Sequence, residues 1–377
     1  MTVLARLPTP CLLLDQQRMD RNIARLSQHL ARLGVPLRPH LKTSKSVDIA
    51  RRVMATLAGP ATVSTLKEAE EFAAAGVRDI LYAVGIAPAK LDRAVALRKR
   101  GVDLCIVVDN IDQARAVAAK SRELAMAIPT LIEIDSDGHR AGIRPGDELL
   151  LEIGRTLQAG GAELRGIMTH AGGSYDARSE SQLVQAAEQE RAAAVQCAEA
   201  LRAAGLPSPV VSVGSTPTAH FARDLTGVTE VRAGVFVFFD LVMAGIGVCA
   251  IDDIAISVLA SVIGHQPAKR QILVDAGWMA VSRDRGTANQ PVDQGYGLVC
   301  DVAGRPYPDL IMQSANQEHG VLEIRAGSSA RCPDLPVGSL VRILPNHACA
   351  TSAQHTHYNV IRDGSPIAQW ARIPAGW

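Results

Sequence analysis

The sequence predicts an α/β protein, with an N-terminal (β/α)8 barrel followed by a C-terminal, mainly β domain. Three observations predict it. Short β-branched runs alternate with long Ala-, Leu-, Arg- and Glu-rich stretches of helical period through the first two-thirds of the chain. About eight such units fit there, the number and spacing of a barrel of parallel strands. Beyond about residue 245 the long helical patterns stop, and β-patterned runs separated by Gly, Pro and Asp turns take over. A chain of 377 residues also exceeds what one ordinary core fills, since single cores stop growing at roughly 250–300 residues. The expected division is a barrel over 16–243, with 1–15 and 244–377 forming the β domain.

Each barrel unit pairs a strand signal with a helix signal. "VPLRPHLKT" precedes "SVDIARRVMATL", "ATVST" precedes "LKEAEEFAAAG", and "DILYAV" precedes "PAKLDRAVALRKRG". "DLCIVVD" precedes "IDQARAVAAKSRELA", and "PTLIEID" precedes "GDELLLEIGRTLQAGG". "ELRGIMTHAG" leads to the long "SESQLVQAAEQERAAAVQCAEALRAAGL", "SPVVSVGST" to the short "PTAHFARDL", and "TEVRAGVFVF" closes the series. The strand ends carry Lys42, Ser64, Asp109, Asp135, His170, Ser215 and Gly234, and a barrel keeps its chemistry at those ends. A doubly wound sheet would need a glycine-rich phosphate turn after its first strand, and "RPHLKTSK" is not one. The later runs "IAISVLASVIGH", "RQILVDAGWMAV", "HGVLEI", "GSLVRIL" and "HYNVIRDG" read as strands, and the early "TPCLLLD" is a candidate extra strand beside them.

Bulk composition narrows the function classes. Hydrophobic residues make up 47%, so a packed core is available. With 39 basic and 38 acidic residues, nothing invites nucleic acid or an anionic membrane surface. No apolar run approaches the ~20 residues of a membrane span, and "MTVLARLPTPCLLLD" does not read as a signal peptide. Seven scattered cysteines argue against a disulfide framework and for a cytoplasmic protein.

Four groups of residues carry chemistry. Lys42 ends the first barrel strand; a lysine buried in a barrel mouth has a depressed pKa and suits Schiff-base chemistry, whereas a surface lysine there would only pair with a carboxylate. Gly214, Ser215 and Thr216 form a hydroxyl-rich turn after the seventh strand, and Gly234 follows the eighth, where barrels often hold phosphate. Ordinary helix capping explains the same turn. Arg140 follows the fifth strand; His170 and Tyr175 follow the sixth. In "VRILPNHACAT", His347 and Cys349 stand two apart just past a strand. In extended backbone they share a face and would bind one cation, with imidazole plus thiolate favouring zinc. His355 and His357 lie close by in "SAQHTHY", as further ligands or as solvated groups.

Taken together, "RPHLKTSKS", "VSTLKEAEEF", "IEIDSDGHRAGI", "THAGGSY", "SVGSTPT", "VRAGVFVFFD", "DAGWMAVSRDRGT", "NQEHG" and "ILPNHACAT" resemble the pyridoxal-phosphate enzymes of the alanine-racemase fold that act on D-amino acids, the D-threonine aldolase and D-serine dehydratase group. The resemblance runs from about residue 8 to about 355. It implies a homodimer and pyridoxal phosphate bound as a Schiff base to Lys42. It puts the phosphate on Gly214, Ser215, Thr216, Gly234 and Val235, Arg140 near the phenolate oxygen and Tyr175 near the pyridine nitrogen, while the flat imidazole of His170 suits stacking on the cofactor ring. His347 and Cys349 match the family's metal pair, with zinc the expected ion and manganese or cobalt as substitutes. Aldolases of the group tend to carry aspartate where this chain has Cys349, which favours the dehydratase branch; within the group the likeness points to 3-hydroxyaspartate as substrate, with serine as the alternative. A retro-aldol enzyme is the alternative, and a non-catalytic cofactor carrier a remote one. For a β-carboxylate on the substrate, Arg283 and Arg285 in "SRDRGT" are the candidates.

Overall fold

The computed structural model describes residues 3–377. The chain divides into two compact units, one of residues 25–234 with 375–377, the other of residues 1–24 with 235–374.

The first unit is the expected barrel. Its strands are β2 (Leu37–Pro39), β3 (Ala61–Val63), β4 (Asp79–Gly85), β5 (Asp103–Val108), β6 (Pro129–Ile134), β7 (Glu163–Thr169), β8 (Val210–Val213) and β9 (Glu230–Ala233), following β1 (Cys11–Asp15) of the other unit. All eight run parallel in the order β2-β9-β8-β7-β6-β5-β4-β3. A parallel bridge between His40 and Thr62 joins the first strand to the last and closes the ring. The strands are rich in apolar residues because both of their faces are covered: Pro129–Ile134 is buried at every position, Thr130 and Glu133 included. Leu81, Cys105, Val107, Leu131 and Met168, from four neighbouring strands, form one buried cluster. Helices begin where a short polar side chain can take an orphan amide. Thr65 accepts from Glu68 N–H, Asn110 from Gln113 N–H and Ser179 from Gln182 N–H.

The second unit is mainly antiparallel. Its strands are β1, β10 (Ile256–Gln266), β11 (Gln271–Val274), β12 (Leu298–Cys300), β13 (Pro306–Ala315), β14 (Gly320–Ile324), β15 (Leu340–Leu344), β16 (His357–Arg362) and β17 (Ser365–Ala371). They follow the order β11-β14-β13-β12-β15-β10-β1-β16-β17, and a further β10–β11 pairing closes the first six strands into a small barrel. The eleven-residue β10 pairs with three strands, β1, β15 and β11, the last with a register shift between Val262 and Gly264. β1 lies between β10 and β16. No helix among the described residues is long and apolar enough to cross a membrane.

Candidate active site

The C-terminal strand ends of the barrel gather polar groups. After β2 the chain makes a tight turn that leaves Lys42 exposed and buries Thr43 and Ser44. The burial expected for Lys42 is therefore absent, although its charge still acts on His40 and His170. Lys45 is paired instead: its Nζ stands 3.0 Å from Oε1 of the buried Glu68, whose other oxygen accepts from Ser64 N–H at 2.9 Å. His40 Nδ1 accepts from Lys42 N–H at 3.4 Å, and Nε2 lies 3.4 Å from Ser64 Oγ. Burial, then the charges of Lys42 and Arg232 and the nearby His170, hold the His40 imidazole well below its ordinary pKa.

His170, at the end of β7, donates from Nδ1 to Gly214 O at 3.0 Å. Burial pushes its pKa down to about 3; the Gly214 carbonyl opposes that, and Lys42, Arg140 and Arg232 reinforce it. His170 is thus a neutral ring with a bare Nε2. Tyr175 sits in the 3-10 turn Gly172–Asp176, its ring centroid 6.3 Å from that of His170 and tilted 51°. Arg140 is more than half exposed and reaches the buried Glu133 at 3.3 Å.

The turn after β8 is built tightly. Gly214 has φ +140°, and a Cβ there would stand 2.0 Å from Arg232 O, so only glycine fits. Ser215 caps helix Thr216–Phe221 in a reciprocal arrangement with Thr218. Two of the amides expected to cradle phosphate are already engaged, Gly214 N–H by Glu190 Oε1 and Ser215 N–H by Thr218 Oγ1, each at 3.0 Å. Thr216 Oγ1 is buried and has no hydrogen-bond partner among the described residues. At Gly234 a Cβ would crowd His40 O at 3.0 Å and Thr43 Oγ1 at 3.1 Å, so bare backbone is kept there. An orphaned hydroxyl, bare backbone and a nearby accessible amine fit a phosphorylated aldehyde. Val235 follows as the first residue of the second unit and is buried.

In the second unit, His347 and Cys349 do not share an extended segment: His347 is extended, but Cys349 is helical. β15 ends at Leu344, His347 is the N-cap of the short helix Ala348–Ser352, and Cys349 is inside it. The pair still meets, because the helix turn brings the thiol back and the two side chains hydrogen-bond. His347 Nδ1 donates to Asp284 Oδ2 at 2.6 Å. Burial opposes charge on His347, but Asp284, Cys349 and Asp240 outweigh it and raise the pKa to about 11. With Nδ1 committed to a carboxylate, Nε2 is the donor left for a metal, and imidazole with thiolate is a zinc-type set. Buried Asp240 accepts from Ala348 N–H at 2.8 Å and Met243 N–H at 2.9 Å, fixing the start of the helix. His355 is tied to Ala280 O at 2.9 Å, and His357 lies beside Thr356 Oγ1 at 3.0 Å. Arg285 is paired with Asp293 at 2.7 Å, whereas exposed Arg283 stacks over Trp278 at 3.9 Å.

Residues 14–242 match the alanine racemase N-terminal domain, and residues 255–361 a putative serine dehydratase domain. The chain belongs to the alanine racemase N-terminal domain family. As a member of that family it is 56% identical to the D-threo-3-hydroxyaspartate dehydratase of Delftia sp. (strain HT23), over 99% of each chain. A histidine-to-alanine mutant of D-threo-3-hydroxyaspartate dehydratase superposes with TM-score 0.96 at 56% identity, covering 100% of this chain and 97% of that one. A cysteine-to-alanine mutant, in metal-free form, superposes with TM-score 0.96 at 55% identity, covering 100% of both. The histidine and cysteine replaced in those proteins are two positions apart.

Sequence reasoning missed His40, Glu190 and Arg232 in the barrel, and Asp240 and Asp284 in the β unit. Asp284 stands within "DAGWMAVSRDRGT", His40 within "RPHLKTSKS", and Arg232 and Asp240 within "VRAGVFVFFD", whereas Glu190 lies outside every such motif. In the sequence each looks like an ordinary polar residue until the fold supplies its partners.

Proposed function

We propose that this chain is a pyridoxal-phosphate- and zinc-dependent dehydratase of D-β-hydroxy amino acids. Its foremost substrate is D-threo-3-hydroxyaspartate, giving oxaloacetate and ammonia; D-serine, giving pyruvate and ammonia, is the second. The observation that carries this reading is the joined imidazole and thiol of His347 and Cys349, at the spacing of the pair replaced in the two relatives, one of them metal-free. The 56% identity over nearly the whole chain supports the choice of substrate.

Pyridoxal phosphate supplies an electron sink for negative charge at Cα. Zinc supplies Lewis acidity to a hydroxyl, worth several kcal/mol on a leaving group as poor as hydroxide. Lys42 Nζ would carry the cofactor and, once freed, accept the Cα proton. The Thr216 hydroxyl and the backbone at Gly234 and Val235 would hold the phosphate, on a turn shaped by Gly214 and Ser215. His170 would offer its neutral ring face, Arg140 would reach the phenolate oxygen and Tyr175 the pyridine nitrogen. His347 Nε2 and Cys349 Sγ would hold the ion, with Asp284 fixing the tautomer. Loss of water from Cα and Cβ leaves an enamine, then an imine, and hydrolysis releases keto acid and ammonia.

The reading includes a homodimer in the cytoplasm, where seven unbridged cysteines are at home. The test is a panel of D-β-hydroxy amino acids assayed for keto acid, ammonia and glycine. Oxaloacetate and ammonia from D-threo-3-hydroxyaspartate are expected. Glycine and an aldehyde as the main products, with no keto acid, would make the chain a retro-aldol enzyme and sink the proposal.

A further inference from the structure

Glu190 lies on helix Glu180–Ala203, outside every motif that pointed to the cofactor, yet its side chain is 2% exposed. One oxygen, Oε1, accepts from two amides of different loops: Ala171 N–H at 2.9 Å and Gly214 N–H at 3.0 Å. Glu190 also hydrogen-bonds the Thr218 side chain. Ala171 immediately follows His170, and Gly214 opens the turn that ends in Thr216. The two loops are further laced by His170 Nδ1 to Gly214 O at 3.0 Å and by Ser174 Oγ to Ser215 Oγ at 3.0 Å. Both polar groups of the Gly214 peptide are therefore held from outside the turn, its N–H by Glu190 and its C=O by His170. A glycine in an unusual backbone conformation has little intrinsic preference for that conformation, so external partners must choose it.

We propose that Glu190 is a positioning residue for the phosphate end of the cofactor, holding the Gly214–Thr216 turn in register with the His170 loop. The inference rests on the reading of the barrel as a pyridoxal-phosphate site. Removing the carboxylate leaves two buried amides without acceptors, and the turn relaxes to satisfy them. Thr216 Oγ1 then loses its place, while Lys42 stands in a different loop, after β2 and two strands away from β8 in the ring. The loss should fall on the phosphate and not on the aldehyde.

The test uses full-length protein and two probes, pyridoxal phosphate and pyridoxal, which lacks the phosphate. Affinities are measured by equilibrium dialysis for wild type, Glu190→Ala, Glu190→Gln and Glu190→Asp, with circular dichroism as the check on folding. Glu190→Ala should weaken pyridoxal phosphate by about 10- to 100-fold and pyridoxal by no more than about twofold. Glu190→Gln keeps an oxygen that accepts both amides and should restore most of the phosphate affinity. Glu190→Asp keeps a buried carboxylate but withdraws it by one methylene, and should lose phosphate affinity even if the alanine variant does not fold. Equal loss for both probes would make Glu190 merely structural, and unchanged affinity for pyridoxal phosphate in the alanine or aspartate variant would overturn its role. Failure of the wild type itself to bind pyridoxal phosphate would instead overturn the cofactor reading, and this inference with it.

Discussion

Asp284→Ala isolates the orientation of His347, the histidine proposed to hold the metal, from the proposed ligands themselves. Asp284 Oδ2 accepts a hydrogen bond from His347 Nδ1–H at 2.6 Å, while Oδ1 accepts from Gly286 N–H at 2.8 Å. A hydrogen bond with a charged partner contributes roughly 1.5–3 kcal/mol. The Asp284 side chain is 32% exposed, so solvent screening favours the lower end of that range. At about 1.4 kcal/mol per tenfold, the loss is roughly tenfold in zinc affinity, toward the lower end of the 10- to 100-fold seen when such supporting groups are removed. The alanine variant frees the ring to turn and to present either nitrogen. Competition against a colorimetric zinc chelator reads the affinity directly, without reference to turnover. Asp284→Asn, which keeps an acceptor oxygen but no charge, should fall between wild type and alanine. His347→Ala should lose the ion far more completely than either. An alanine variant that binds zinc as tightly as wild type would refute the argument, because the carboxylate would then have no part in choosing the donor nitrogen.

Chelated protein should keep the visible absorbance of its bound cofactor and still exchange the substrate's Cα proton with deuterated solvent, while making little keto acid until zinc returns. Cobalt or manganese should restore part of the activity and magnesium little; chelation that unfolds the protein would make the site structural. Lys42→Ala should abolish cofactor absorbance and activity together, whereas Lys45→Ala, which breaks only the pair with Glu68, should retain a borohydride-reducible cofactor; the reverse outcome would transfer the role to Lys45. His170 has its pKa depressed to about 3, so between roughly pH 6.5 and 3 the unfolded chain holds a proton that the folded chain lacks. Stability is therefore full above the unfolded pKa and falls as pH drops through that window, with His40 adding in the same direction. Thermal midpoints measured across that range should fall less steeply for His170→Asn, and parallel curves would show that His170 stays out of this balance.

The barrel was legible because its information is local. Strand and helix periods of 2 and 3.6 residues repeat within short windows, and runs such as "PTLIEI" are mostly apolar because both faces are covered. Lys42, His170, the Gly214–Thr216 turn and Gly234 could be named as candidates for the same reason: a barrel brings every strand end to one face, whatever the loops contain. His347 and Cys349 could be paired because they are neighbours in the chain, although the extended backbone assumed for them is a helix start. The sequence by itself thus determined the architecture and the chemical types present. Tertiary structure alone decided which polar groups are already spent. Asp284 meets His347 across 63 positions, and Glu190 meets Ala171 and Gly214 across 19 and 24. The exposure of Lys42 and the orphaned hydroxyl of Thr216 are likewise products of packing. Hydrogen bonds between distant segments, and the burial that makes them matter, depend on chain closure that no short window of sequence records.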